Sequence, residues 1–182
     1  MKTYIALLRG INVGGKNTLS MKDLSAMLEE LGARKVKTYI NSGNAVFLWN
    51  GKDASRLAQG LRAEIKKRRG FDPHVLVMEH ADLKKVIEQN PFPEATSDSK
   101  VLHASFLVAV PDNPDLKALE NLKIDSERFR LVDRVFYLYA PDGVGRSKLA
   151  AGAGKLLGVP MTDRNWRTVC ALSQIAQELN EG

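Results

Sequence analysis

The sequence is poor in cysteine and in long apolar runs. Its single cysteine, Cys170, excludes a disulfide within the chain and is typical of a reducing compartment. No apolar run approaches the roughly 20 residues that a membrane-spanning helix needs. The apolar stretch at 4–8 is far too short for a signal peptide. We therefore expect a soluble cytoplasmic protein without a membrane partner.

Residues that commonly carry chemistry are also scarce. The three histidines, His74, His80 and His103, show no metal-ligand spacing, and no serine has an assignable histidine base. No pair of carboxylates stands out from the loops. Cys170 lies in the apolar pattern of the last helix and is expected to be a buried, unreactive thiol. The sequence thus predicts no metal site and identifies no catalytic residue and no cofactor.

The 182-residue chain is basic, with 27 Lys and Arg against 21 Asp and Glu, and the excess lies in its first half. Residues 1–91 carry a net charge of +7, and residues 92–182 carry a net charge of −1. This asymmetry favours an anionic partner for the first half. A basic face is also a common way for a protein to stay soluble, so charge alone does not decide the function.

The first half has the strand–helix–strand–strand–helix–strand order of a ferredoxin-like unit. Ser20 and Asp23 form a capping box before a helix that ends at Gly32. A second helix begins at Asp53 or Ser55 and ends in basic residues before a glycine, which is favourable for the helix dipole. The predicted strands of this unit are 3–9, 36–40, 44–49 and 74–78.

Much of the same order returns in the second half. The predicted strands are 101–110, 128–132 and 135–140, and the predicted helices are 81–89, 114–122, 147–157 and about 165–179. We predict an α+β fold of two ferredoxin-like (βαββαβ-type) units in tandem, with antiparallel sheets and helices packed on one face. The predicted domains are 1–80, a connecting helix and loop at 81–100, and 101–182, in which the second unit ends in a helix.

Two loops of the first unit are rich in glycine, asparagine and basic residues. The first two strands of the split pattern run parallel, so the loops that follow them lie at the same end of the sheet, with the basic residues 66–69. Backbone N–H groups and cations there suit an anion, although a plain glycine-rich connection and a hairpin turn also explain the composition. The predicted ligand-binding residues are Arg9, Asn12, Lys16, Asn17, Asn41, Ser42 and Asn44.

The segment Gly10–Lys16 matches the first seven positions of the phosphate-loop pattern. Asn17, however, occupies the place of the Ser or Thr that holds Mg²⁺, and the capping box begins the helix several residues later. No convincing acidic strand partner for a metal follows. A nucleotide-hydrolase phosphate loop is therefore not expected here.

The second half contains two further basic segments, each predicted to open a helix and so to offer backbone donors beside an arginine. The predicted ligand-binding residues in them are Arg146, Ser147, Lys148, Arg164 and Asn165. Ser147 and Thr162 are alternatively explained as helix N-caps. Trp166 is interpreted as a packing residue under the terminal helix.

Several segments carry a family resemblance: Leu7–Gly15 with Asn17 and Met21, Thr38–Phe47, Asn90-Pro91-Phe92, Gly143–Leu149, and Leu157–Val169. In these segments the chain resembles the bacterial domain-of-unknown-function family 1697, in order and nearly throughout. The resemblance implies a two-part α+β fold of ferredoxin-like halves, and it implies no activity. Asn41 stands where the family often has Gln, and Cys170 stands where a Lys is frequent.

Three hypotheses of function follow. The first is a module that binds an anionic ligand with phosphate or carboxylate groups; nucleic acid held by the loops is a further possibility. A sheet-face RNA reader is not expected, because Asn44 and Val46 stand where stacking aromatics belong. The second is an enzyme for a nucleotide or phosphorylated small molecule, in which arginines clamp the charge. The third is a structural or oligomeric protein whose polar loops only lock the two units together.

Overall fold

The computed structural model describes residues 1–98 and 100–181. The chain divides into two compact units: unit 1 contains Met1–Lys85 and the chain from Cys170 onward, and unit 2 contains Val86–Val169. Each unit has a four-stranded antiparallel sheet with helices on one face, so the predicted α+β fold of two ferredoxin-like units is confirmed. Among the described residues, no helix is both long enough and apolar enough to cross a membrane.

Unit 1 has the strand order β2-β3-β1-β4, and all its neighbouring strands are antiparallel. Helix α1 begins where the Ser20 side chain accepts a 3.0 Å hydrogen bond from the N–H of Asp23, as the capping box predicted. Helix α2 ends at Gly70, whose φ of 77° is the left-handed C-cap conformation. The elements are β1 Lys2–Arg9, α1 Met21–Glu30, β2 Arg34–Tyr39, β3 Asn44–Trp49, α2 Ala54–Arg69 and β4 His74–Glu79, followed by α3 His80–Glu88.

The core of unit 1 lies between one face of the sheet and helices α1 and α2. Alternate residues of β1 point to this face because successive strand side chains alternate, and their helical partners recur at three- and four-residue spacing. The largest contributors are Tyr4, Leu8, Phe47, Leu24, Leu28, Leu61 and Ile65. This packing holds the end of β1 and the start of β3 in place, which sets the position of the loop after β1 and of the turn before β3.

Unit 2 repeats the topology with the strand order β6-β7-β5-β8. The residues Phe136, Leu138, Leu149, Ala153 and Leu157 form its core with Leu107 and Leu119. The elements are β5 Leu102–Leu107, α4 Leu116–Leu122, β6 Arg128–Val132, β7 Val135–Tyr139, α5 Lys148–Leu157, β8 Met161–Asn165 and α6 Trp166–Glu181, with short 3-10 turns at Pro93–Ser97 and Val144–Arg146.

The last helix begins at Trp166, within one residue of its predicted start, but the sequence did not predict the strand that precedes it. Thr162 to Asn165 belong to β8, an edge strand that pairs with β5. The polar run Thr-Asp-Arg-Asn has no apolar alternation, which is the pattern that predicts a strand. Thr162 is not an N-cap; the Asn165 side chain accepts the 2.9 Å bond from the Thr168 N–H instead. Trp166 is buried, which confirms its packing role.

Helix α6 begins in unit 2 and continues in unit 1, whereas the sequence pattern placed residues 101–182 in one unit. Within unit 1, its Asn180 amide accepts a hydrogen bond from Thr3 and donates one of 3.3 Å to His80 Nδ1. The expected burial of Cys170 was wrong: the thiol is exposed. It lies one helical step from the buried Val169 and so turns off the apolar face.

Candidate functional site

The loop between β1 and α1 forms a small hairpin at residues 12–17, here called the finger. Asn12 N–H donates to Asn17 O at 3.1 Å, and Lys16 N–H donates to Val13 O at 3.0 Å. Gly14 and Gly15, with φ of 57° and 73°, form the two-residue turn, a conformation that glycine adopts without strain. A Cβ at either glycine would meet no atom within 4 Å. The finger therefore projects into open space.

The finger is fixed to the turn between β2 and β3. The Asn12 side chain donates from Nδ2 to Leu19 O at 2.8 Å and to Asn41 O at 3.0 Å, and Oδ1 accepts from the Leu19 N–H at 2.8 Å. A backbone bond joins the same two segments: the N–H of Leu8, near the end of β1, donates to Gly43 O at 2.8 Å. The structure thus brings both predicted loops together. We call residues 9–20 and 39–44 the loop end of unit 1.

Three of the predicted asparagines use their amides inside the loop end. Asn12 makes the bonds just described, and Asn17 Nδ2 donates to Gly10 O at 2.8 Å. Asn44 is fully buried and donates from Nδ2 to Tyr39 O at 3.1 Å and to Ser42 Oγ at 2.9 Å. These amides shape the loops. The remaining predicted side chains are more accessible: Ser42 is half-buried, and Arg9, Lys16 and Asn41 are exposed.

The loop end is positively charged and contains no carboxylate. Residues 9–20 and 39–44 include Arg9 and Lys16 and no Asp or Glu. No carboxylate of residues 1–98 or 100–181 forms an ion pair with Lys16. Unit 1 carries 16 Lys and Arg against 10 Asp and Glu, and unit 2 carries 11 of each. The net positive charge of the chain therefore belongs to unit 1.

The basic cluster at the end of α2 is neutralised by nearby carboxylates. Lys66 Nζ lies 3.5 Å from Asp72, Arg68 bonds to Glu30 and Glu64, and Arg69 pairs with the Asp23 side chain at the start of α1. These exposed pairs contribute little to stability individually. They remove three of the expected cations from the set that a ligand could use.

Unit 2 has the same topology as unit 1, so its β5–α4 connection can be compared with the loop end. Its equivalent connection, residues 108–115 between β5 and α4, contains no residue with positive φ, whereas the connection in unit 1 contains five: Gly10, Asn12, Gly14, Gly15 and Asn17. The bond from Leu107 N–H to Arg134 O, at 2.8 Å, matches the Leu8–Gly43 bond. The topology therefore does not require the unusual loop of unit 1.

The predicted residues of unit 2 share one end of its own sheet. β7 and β8 both end where β5 begins, because Leu102 pairs with Tyr139 and His103 pairs with Asn165. Arg146 and Lys148 are exposed there, and Ser147 caps α5 by accepting a 3.0 Å bond from the N–H of Ala150.

The side chain of Arg164 is half-buried beside this end, and its guanidinium donates to Asp163 O at 2.7 Å. Burial lowers the pKa of Arg164 to about 10, although the Asp163 charge acts in the opposite direction.

A polar cluster that the sequence did not predict lies on the edge of unit 2. Asp163 accepts from Ser105 Oγ at 2.9 Å and faces His103 Nδ1 at 2.8 Å, while His103 Nε2 lies 3.2 Å from Lys100 O. The alternation of His103 and Ser105 indicated two polar side chains on one face of β5. The partner strand β8, which supplies Asp163, was not recognised in the sequence. The serine hydroxyl bonds to the carboxylate and not to the imidazole, so this is not a nucleophile–base pair.

The comparisons with known proteins agree with this architecture. Residues 1–137 match the family described as "Protein of unknown function (DUF1697)". The chain belongs to this family. The conserved bacterial protein SP0830 from Streptococcus pneumoniae is similar to this DUF1697 chain in structure, with a TM-score of 0.69 and 25% identity over 96% of this chain and 98% of that one. No curated protein matches the sequence.

Across the described ranges, 1–98 and 100–181, no group of three or more His, Cys, Asp or Glu side chains is placed to hold a metal ion. The chemistry that the arrangement offers is instead that of charge recognition, through guanidinium and ammonium groups beside glycine-rich backbone.

Proposed function

We propose that this protein binds an anionic ligand, with phosphate or carboxylate groups, at the loop end of unit 1. The observation that carries the proposal is the finger: it carries Lys16 on a loop that Asn12 joins to Asn41, and the two loops contain no carboxylate. Backbone of this left-handed kind is found where N–H groups converge on anions, and unit 2 folds without it. The single cysteine supports a cytoplasmic location.

The experiment is a titration of the ¹⁵N-labelled protein with inorganic phosphate and with pyrophosphate at constant low ionic strength, followed by amide chemical shifts. We expect saturable shifts at Gly10, Gly14, Gly15, Lys16 and Asn41, with the larger effect from pyrophosphate. Lys16→Ala should weaken binding about fivefold, the weight of one exposed charge contact. Lys117→Ala removes the same charge from an exposed position of α4 and should leave the affinity for phosphate and pyrophosphate unchanged.

Two outcomes would contradict the proposal. One is an absence of saturable shifts in the loop end; the other is an equal effect of the Lys16 and Lys117 substitutions, which would indicate only general attraction to a basic protein. A parallel titration with a single-stranded oligonucleotide separates the two ligand classes. Stronger, steeply salt-dependent binding of the oligonucleotide would assign the same site to a nucleic acid backbone.

A further inference from the structure

A cavity of about 410 Å³ lies at the end of the unit 1 sheet opposite to the loop end. It opens where β1 begins at Lys2 and where β3 and β4 end, at Trp49 and Glu79. Cavities that take small molecules range from about 300 to 1,000 Å³, so its size suits a compact organic molecule.

One wall of the cavity is an aromatic surface held on three sides. The Trp49 ring meets Tyr4 edge to face at 5.4 Å between centroids, and Trp49 Nε1 donates to Leu31 O at 3.3 Å. The main chain of Gly51 lies against the ring so closely that a Cβ there would come within 2.1 Å of it. A wall fixed in this way loses little freedom when a ligand packs on it.

The charged groups of the cavity are unevenly matched. Lys2 Nζ donates to both oxygens of Glu79, at 2.8 and 3.0 Å, so these two charges neutralise each other. Tyr4 donates its hydroxyl to Gly51 O at 3.0 Å, and burial, together with the charge of Glu79, raises the pKa of Tyr4. Lys52 is exposed, and no carboxylate in the described part of the chain pairs with it.

We propose that this cavity binds a small organic anion with a flat apolar body. The body lies against the partly buried Trp49, and the anionic group pairs with Lys52. An organic cation is the poorer fit, because Glu79 already accepts two hydrogen bonds from Lys2 and a cation would have to displace that ammonium group. The inference does not depend on the function proposed for the loop end, which lies at the other end of β1.

The test uses three probes on the ¹⁵N-labelled full chain: 2-naphthoate, 2-naphthylmethylamine, which has the same ring and the opposite charge, and acetate, which has the charge without the ring. The indole N–H of Trp49 is the reporter, and that of Trp166 in unit 2 is the internal reference. We expect naphthoate to shift the Trp49 signal in a saturable manner and to bind at least about tenfold more tightly than either other probe.

A matched pair of variants locates the anionic group. Lys52→Ala should weaken naphthoate binding about fivefold, whereas Lys22→Ala, which changes an exposed lysine of α1, should leave it unchanged. Equal affinity for the amine, equal shifts at the two indoles, or indifference to Lys52→Ala would overturn the proposal. An absence of phosphate binding at the loop end would not affect the cavity proposal, so the two proposals are tested independently.

Discussion

The side-chain amide of Asn12 donates a 3.0 Å hydrogen bond to the main-chain oxygen of Asn41, which joins two loops that are 29 residues apart. The same residue has a φ of 54°, in the left-handed region that asparagine tolerates better than most residues. One side chain therefore sets both the shape of the finger and its attachment to the neighbouring turn. The geometry of the loop end depends on it.

Replacement of Asn12 by alanine should destabilise the protein by about 2–3 kcal/mol, because it removes three hydrogen bonds and places a Cβ residue without a polar side chain at positive φ. Asn12→Gly tolerates the backbone conformation, so it should lose only the part of the stability that comes from the hydrogen bonds. Urea unfolding measures both changes. Asn113→Ala, in the equivalent connection of unit 2, is the matched control and should have little effect; an equal loss there would contradict the assigned role of Asn12.

Ile40 is a strained residue on the surface. Its φ is 48°, an unusual conformation for a β-branched residue, and its side chain is 56% exposed, so core packing does not compensate for the strain. Ile40→Asn should raise the free energy of unfolding by about 0.5–1 kcal/mol. Ile124, 51% exposed and without positive φ, provides the control, since Ile124→Asn relieves no strain. A gain of the same size at both positions would show that the benefit comes from surface polarity alone.

The sequence predicted most of the fold because its signals are local. The capping box at Ser20, the Asn-Ser-Gly turn and the continuous apolar run of β1 each specify an element without reference to distant parts of the chain. β8 was missed because an edge strand paired on one side with polar side chains has no periodic signature. Its existence depends on a partner, β5, that lies more than 50 residues away.

The candidate site was predictable in position but not in detail. The split ferredoxin-like topology places the loops after β1 and β2 at one end of the sheet whatever their sequences are. The sequence could not show which asparagines bond within the loops and which remain accessible, because both are the same residue type. The aromatic cavity was missed for a related reason: Trp49 and Glu79 come together only through strand pairing.

The pKa of His103 is expected to fall when Asp163 is replaced by asparagine. Burial lowers this pKa, but the hydrogen bond and charge of Asp163, together with the Lys100 carbonyl, outweigh burial and raise it above 6.5. Asp163→Asn leaves burial as the dominant effect. NMR titration of the imidazole measures the shift, with Asp133→Asn, an exposed carboxylate of the same unit, as the control.

The raised pKa of His103 also predicts the direction of a stability change with pH. The folded state holds the proton on His103 more tightly than the unfolded state does. The His103–Asp163 pair therefore makes its full contribution to the stability of the folded protein below pH 6.5. This contribution is lost as the pH rises through the folded-state pKa. Urea unfolding across that range should show the loss in the wild-type chain and a smaller one in Asp163→Asn. Identical profiles for the two proteins would rule out the ion pair as the source.

Gly51 is required by the ring that packs on it, and this gives the most direct test of the cavity wall. A Cβ at position 51 would lie 2.1–2.6 Å from three atoms of the Trp49 ring, far inside van der Waals contact. Gly51→Ala should therefore push the indole out of place, lower the free energy of unfolding by about 1–3 kcal/mol and shift the fluorescence of Trp49. Gly145→Ala is the matched control, because a Cβ there meets no atom within 4 Å and its φ is not positive. If both variants unfold alike and their emission spectra coincide, the Trp49 ring is not held by Gly51, and the preorganised wall on which the cavity proposal depends does not exist.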